Sequence, residues 1–330
     1  MGLLSAITGL FAPTPPIDAS TGLALERIGE LVDPLLKAAS GFEHKLAAPV
    51  HHALGYCEGL VAGLPGPVDI DARAFGADPL VHALFATPDD IRLMLGKSQA
   101  VRDYLANPAC LASDHFYAML AARRQEKNRL GMAIQGDMIQ NDVPQTVLYF
   151  TDHTLVEPSC DLARTRAQLR SRAFDSLLLS FKAHVEALRL ERENARGDSA
   201  AERVHVAMLQ GSTPGPAYEV HTRHLAELDA RLRAVAESLM PDPLVDALAG
   251  YLLAPEISLH CSEVAVTVNR LGVITDEAAA TAPDVDTLRF PELTGRDKRL
   301  YLLLLARIDR AEAQAAVDSV RDMQHRFMLI

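Results

Sequence analysis

Two groups of residues in this chain combine side chains that ligate metals or carry protons. Asp152-His153 follows an apolar stretch, and His260 and Glu263 stand together in a later one. Imidazole and carboxylate donors are those of hydrolytic zinc sites, where a further carboxylate orients a ligating ring. On that chemistry His153, His260 and Glu263 would be ligands and Asp152 their orienter, provided one sheet brings the two stretches together. Their spacing fits no defined zinc motif. Strand alternation offers a plainer reading, a solvated His and Glu on one face.

His221 and His224 form the second group, at the i, i+3 spacing that puts two rings on one helix face. Glu219 points elsewhere, and no third ligand stands at a recognisable spacing. His221 also falls on an apolar seam, where a histidine hydrogen-bonded to the adjacent helix is the plainer reading. His51-His52 is weaker, because neighbouring helical residues diverge.

Other chemistry leaves no mark. The chain has no G-x-S-x-G, no P-loop and no G-x-G-x-x-G. Gly211-Ser212-Thr213-Pro214-Gly215 has a phosphate-loop composition, but it joins two helical stretches and Pro214 removes an N–H donor. We expect no cofactor. Two basic clusters, Arg123, Arg124, Lys127 and Arg129, then Arg164, Arg166, Arg170 and Arg172, lack interleaved aromatics for base stacking. Against a formal charge of −11 they read as solvated helix faces paired with nearby Glu, not as nucleic-acid contacts.

The elements that must position these residues come from patterning. At 330 residues and 49% hydrophobic, the chain can build one large domain or two modest ones. With no Trp, the core must be mostly aliphatic. Cys57, Cys110, Cys160 and Cys261 are far apart, and buried free thiols in a reducing cytoplasm are expected. No apolar stretch approaches the roughly 20 residues that span a bilayer, so no integral membrane segment is expected. The apolar segment before Pro13, Pro15 and Pro16 lacks a basic n-region and reads as a helix on its own domain or a short docking helix, not as a signal peptide.

Asp78-Pro79, Thr87-Pro88 and Asn107-Pro108 each combine an N-cap acceptor with Pro at N1, which predicts helix starts. A further helix is predicted from Ser113 or Asp114 through Phe116 and Leu120 to Gly131. Segments 133–139 and 145–151 read as a hairpin turning at Asn141-Asp142-Val143-Pro144, with a short strand to Glu157. From Cys160 a heptad seam runs through Phe174, Leu178, Phe181, Val185 and Leu188. Gly197-Asp198-Ser199 is read as a break, with Ser199 and Glu202 capping a new helix. A second seam, Tyr218, His221, Leu225, Leu228, Leu232, Val235 and Leu239, predicts an antiparallel partner. After Pro255, Ile257-Leu259-Cys261, Val264-Val266-Val268, Leu271-Val273, Leu288-Phe290 and 301–308 read as strands, and Asp309 caps a terminal helix.

The fold expected is α+β and helix-rich: an N-terminal helical part, an antiparallel sheet from strand groups at 134–156 and 257–308, and a long helical hairpin inserted between them. The domain division expected is 1–19 as an apolar segment and Pro joint, 20–132 as a helical subdomain, and 133–330 as an α+β domain with the insertion at 160–253. The function expected is a cytoplasmic, non-catalytic interaction or scaffold protein, binding another protein or itself through the hairpin at Leu225 and Leu232. A metal-dependent hydrolase built on Asp152, His153, His260 and Glu263 is the competing expectation.

Overall fold

The computed structural model describes residues 18–108, 113–135, 138–210, 215–275, 284–295 and 298–328. The N-terminal apolar segment, Cys110, residues 211–214 of the expected loop, and whatever follows Asn107-Pro108 directly lie outside them. In chain order the elements are α1 (Ala19–Leu31), α2 (Phe42–Ala62), β1 (Val68–Asp69), α3 (Ala72–Ala77), α4 (Pro79–Leu84), α5 (Pro88–Lys97), α6 (Gln99–Leu105), β2 (His115–Gln135), β3 (Met138–Ser159), α7 (Leu162–Gln210), α8 (Pro216–Ser238), α9 (Pro241–Leu252), β4 (Cys261–Asn269), β5 (Val285–Thr294), β6 (Leu300–Asp309) and α10 (Arg310–Met328). Short 3-10 turns stand at Pro34–Ala38 and Pro255–Ile257.

Contacts gather the chain into two compact units. One joins the residues up to Tyr56 with Phe174–Ser258, and the other joins Cys57–Ala173 with the chain from Leu259 onward. The second unit holds the sheet. Its strands run β3-β2-β6-β5-β4, with β1 parallel to β6 and the other pairs antiparallel. The two separated strand groups therefore share one sheet, and the helices between β3 and β4 are an insertion. The chain is α+β and helix-rich, with a long helical hairpin.

Burial explains why β6 is central. Leu302, Leu304, Ala306 and Ile308 pack on one face with Phe116, Ala118, Leu120 and Ala122 of β2, Leu288 and Phe290 of β5, and buried residues of α4, α5, α6 and α10. Leu303 and Leu305 pack on the other face with Val61, Leu64 and Leu169. An uninterrupted apolar run is what a strand covered on both faces requires. Beyond β4 the chain turns at Gly272, and Val273 pairs with Val147 of β3 while Ile274 pairs with Val268 of β4. The sheet thus curls until its outer strands are bridged by this short segment, which covers part of each edge.

Three local readings are corrected. The helix predicted from Ser113 or Asp114 to Gly131 is the long strand β2, so the helical reading of 20–132 ends at Leu105. Phe116, Ala118, Leu120 and Ala122 are buried in strict alternation, and the pairing of residues 115–123 with β6 overrides their helical spacing. Strands β2 and β3 pair out to Gln135 with Met138, and Asn141–Pro144 belongs to β3 and forms no turn between strands. Ile257-Leu259-Cys261 is a 3-10 turn leading into β4, not a strand.

Strand β3 holds prolines as an outer strand of the sheet can, and its register shifts three times against β2. Each shift gives β3 one extra residue, and Asp142, Asp152 and Glu157 at these places have φ of 59°, 54° and 53°. These are bulges with an acidic residue in the left-handed region, and each switches which residues face the core. The predicted helix starts at Thr87 and Asp78 do form: Thr87 and Asp90 make a capping box, and Asp78 accepts from Leu80 and Val81 N–H. Asp309 accepts from Glu312 N–H to start α10.

The described residues of the first unit build helices and no strand. Ile28, Leu36, Leu46, Val50, Leu177, Leu178, Val185, Leu248 and Leu252 are buried. Arg27 grips Asp175 through two hydrogen bonds of 3.0 and 2.9 Å, Arg189 pairs with Asp33, and Lys45 reaches Asp246 at 2.8 Å.

Candidate functional site

Helix α7 is an unbroken helix of 49 residues, about 74 Å long. The break expected at Gly197-Asp198-Ser199 does not occur. Its stretch is rich in Ala, Leu, Arg and Glu, good helix formers that carry one glycine with little loss. Ser199 caps nothing: its hydroxyl donates to Asp229 on α8 at 2.6 Å. The chain then returns as α8, with Pro216 at its first position.

Cross-links set the hairpin register. Gln210 donates to the Tyr218 hydroxyl at 3.2 Å, Arg203 to Asp229 at 2.9 Å, and Arg231 to Glu191 at 2.9 and 2.7 Å. Leu228 and Val235 of the second seam are buried, while Leu225 and Leu232 are half-buried.

Within this register the structure assembles three potential ligands, Glu202 and His205 of α7 and His221 of α8. Their nearest ligand atoms all lie within 4.8 Å of one another. His221 Nδ1 is 2.6 Å from one Glu202 carboxylate oxygen and His205 Nδ1 is 3.5 Å from the other. Glu202 is 8% exposed, whereas the His205 side chain is 60% exposed. The hydrogen bond from His221, aided by the one from His205, holds the Glu202 carboxyl below its ordinary pKa despite burial. Likewise the Ser199 hydroxyl and then Arg203 lower Asp229.

His221 was visible as a candidate. Its expected companion His224 is exposed and lies 3.9 Å from Glu227, outside the three-residue group. Glu202 and His205 were missed as ligands, although Glu202-Arg203-Val204-His205 places them one helical turn apart.

The four residues of the sheet go elsewhere. Asp152 is exposed, with Arg123 at 3.5 Å, and His153 is next to it on β3. His260, exposed, precedes β4, and Glu263 is exposed within it. Among the described residues these four side chains form no group of potential metal ligands. The structure does not bring these four residues together. Basic residues of both clusters are paired: Arg124 with Glu126 and Glu292, Arg170 with Glu58, and Arg172 with Glu157.

His153 has a structural place. The bulge at Asp152 turns it toward the core, where its Nε2 is 2.7 Å from Leu84 O and its ring stacks on Phe85 at 4.6 Å. Burial pushes its pKa down, against smaller upward effects of the Leu84 bond, Asp90 and Asp152. The folded state therefore prefers the neutral ring, while the unfolded chain takes up a proton below about pH 6.5. Stability should fall as pH drops from about 6.5 through the depressed folded value, and level off below it. Melting curves between pH 7.5 and 5 should be flatter for His153→Gln, which keeps a donor for Leu84. Parallel curves for the two proteins would remove His153 as a source of acid sensitivity.

No protein-family model, curated protein or solved structure matches the chain. Among the described residues no helix is long and apolar enough to cross a membrane.

Proposed function

We propose that this chain is a cytoplasmic interaction protein without catalysis of its own, with the hairpin of the 160–253 insertion as its contact surface for another protein or a second copy. The observation that carries this reading is apolar exposure near the chain reversal. Met208 is 70% exposed, and Val204 and Val220 are also exposed, with Leu190 a further exposed apolar residue along α7. Exposed apolar side chains on a braced helical pair suit a partner that covers them. Leu225 and Leu232, half-buried in the seam, serve the hairpin itself, which moves the proposed contact to its outer side. Of the thiols expected to be buried, Cys57 is buried, whereas Cys160 is exposed and Cys261 half-buried, all three free; free thiols suit a reducing compartment.

The test is a Val204→Ser, Met208→Ser, Val220→Ser variant, crosslinked in cells and weighed by light scattering over a concentration series. Wild type should show a stoichiometric complex, with a partner or itself, that the variant loses at unchanged helix content. Equal behaviour of the two proteins, or a bare monomer for both, would refute the proposal.

A further inference from the structure

We propose that Glu202, His205 and His221 together bind one first-row divalent transition-metal ion of the Zn2+ class, which ties α7 to α8. This inference is independent of whether the hairpin has a partner.

The donor set selects the class of ion. Two imidazoles and one carboxylate suit Zn2+, Co2+, Ni2+ or Cu2+, whereas Mg2+ and Ca2+ favour oxygen ligands. The arrangement does too. Glu202 and His205 stand one turn apart on α7 and so share a face, and His221 approaches from α8 at the same level of the hairpin. Ligands about 2.0–2.2 Å from one ion lie roughly 3–3.5 Å from each other. The Glu202–His205 distance of 3.5 Å falls in that range, while the Glu202–His221 contact of 2.6 Å is a hydrogen bond that must open by about 0.5 Å or more to admit an ion. The ring centroids of His205 and His221 are 5.8 Å apart, and His205, the outermost and most exposed of the three, needs only a small rotation to close on an ion.

The surroundings leave the carboxylate free for this role. The nearest arginine on α7, Arg203, is held by Asp229, so no guanidinium occupies the position between the rings. Both Nδ1 atoms lie against the two oxygens of the Glu202 carboxylate. An ion takes its place between the same three groups. Three protein ligands leave further positions, which water completes on the exposed His205 side.

The experiment uses the full chain, stripped with chelator, titrated with Co2+ and followed by its visible absorption, with Zn2+ displacement and calorimetry. We expect one equivalent bound with a Kd of about 10 μM or tighter, and displacement by Zn2+. His205→Ala and His221→Gln should each weaken binding about 100-fold, the second keeping a side chain that can still hydrogen-bond Glu202. His224→Ala should stay within about twofold, and far-ultraviolet circular dichroism should show every variant helical. No saturable binding at one equivalent overturns the site, as does equal binding of Mg2+ or Ca2+. So does loss on His224→Ala while His205→Ala binds normally, which would place any ion elsewhere on α8.

Discussion

Glu292→Ala should lower the melting temperature of the sheet unit by roughly 6–20 °C. Glu292 lies on the core face of β5, with its side chain 9% exposed, and it receives a 2.9 Å hydrogen bond from Arg124 of β2, itself 16% exposed. Removing the carboxylate leaves a guanidinium buried, with only the more exposed Glu126 beside it. Breaking a buried pair on one side costs about 3–5 kcal/mol, and a unit of this size loses about 2–4 °C per kcal/mol. The companion variant separates charge from packing. Arg124→Met with Glu292→Met removes both charges and should recover most of the loss, because a well-packed apolar pair often matches a buried ion pair. If Glu292→Ala melts within 2 °C or so of wild type, water reaches Arg124 and the pair is not a buried one.

Gly66→Ala should be comparably damaging, for a backbone reason. Gly66 has φ of 110°, a region that side-chain-bearing residues rarely enter. A Cβ there would stand 2.3 Å from Leu305 O and 2.9 Å from Val68 N, both backbone atoms with nowhere to move. Leu305 belongs to the central strand β6, and its N–H is bonded to Pro65 O at 2.8 Å. The clash therefore pushes on the middle of the sheet, and a loss of about 3 kcal/mol or more is expected in denaturant unfolding. Gly59→Ala is the control. Gly59 lies in α2 with nothing within 4 Å of its added Cβ, and alanine there should stabilise by about 0.5–1 kcal/mol. A Gly66→Ala protein as stable as wild type would show that the loop beside β6 can give way.

The frame of the fold was legible where local chemistry and tertiary demand agree. Thr87 with Asp90, Asp78 before Pro79, and the apolar run 301–308 each announce their elements. Strand β2 was not legible, because two of its four core positions are alanines and Arg123, Arg124, Lys127 and Arg129 look like a solvated helix face. Only β6, far along the chain, reveals its alternation. The bulges at Asp142, Asp152 and Glu157 hid the extent of β3, since Asp142-Val143-Pro144 carries turn chemistry inside a strand. For the hairpin site, His221 stood out on its seam. Glu202 and His205 were masked by reading Gly197–Ser199 as a helix end. With α7 continuous, Glu202 falls about two turns before the end of α7 and His221 about a turn and a half into α8, and the two meet across the hairpin.

The order in which the sheet is completed has a consequence during synthesis. Residues 115–123 of β2 pair on one side with β3, but their other edge finds its neighbour only in residues 301–309, which emerge from the ribosome after the whole helical insertion. From the end of β3 to the end of β6 is about 150 residues, roughly 8–30 s of translation. For that time Phe116 and Leu120 lack the strand that buries them, and β2 offers an unpaired backbone to any other nascent chain. The insertion thus imposes a delay on completion of the sheet. A product that stops within it leaves that open strand permanently exposed to aggregation.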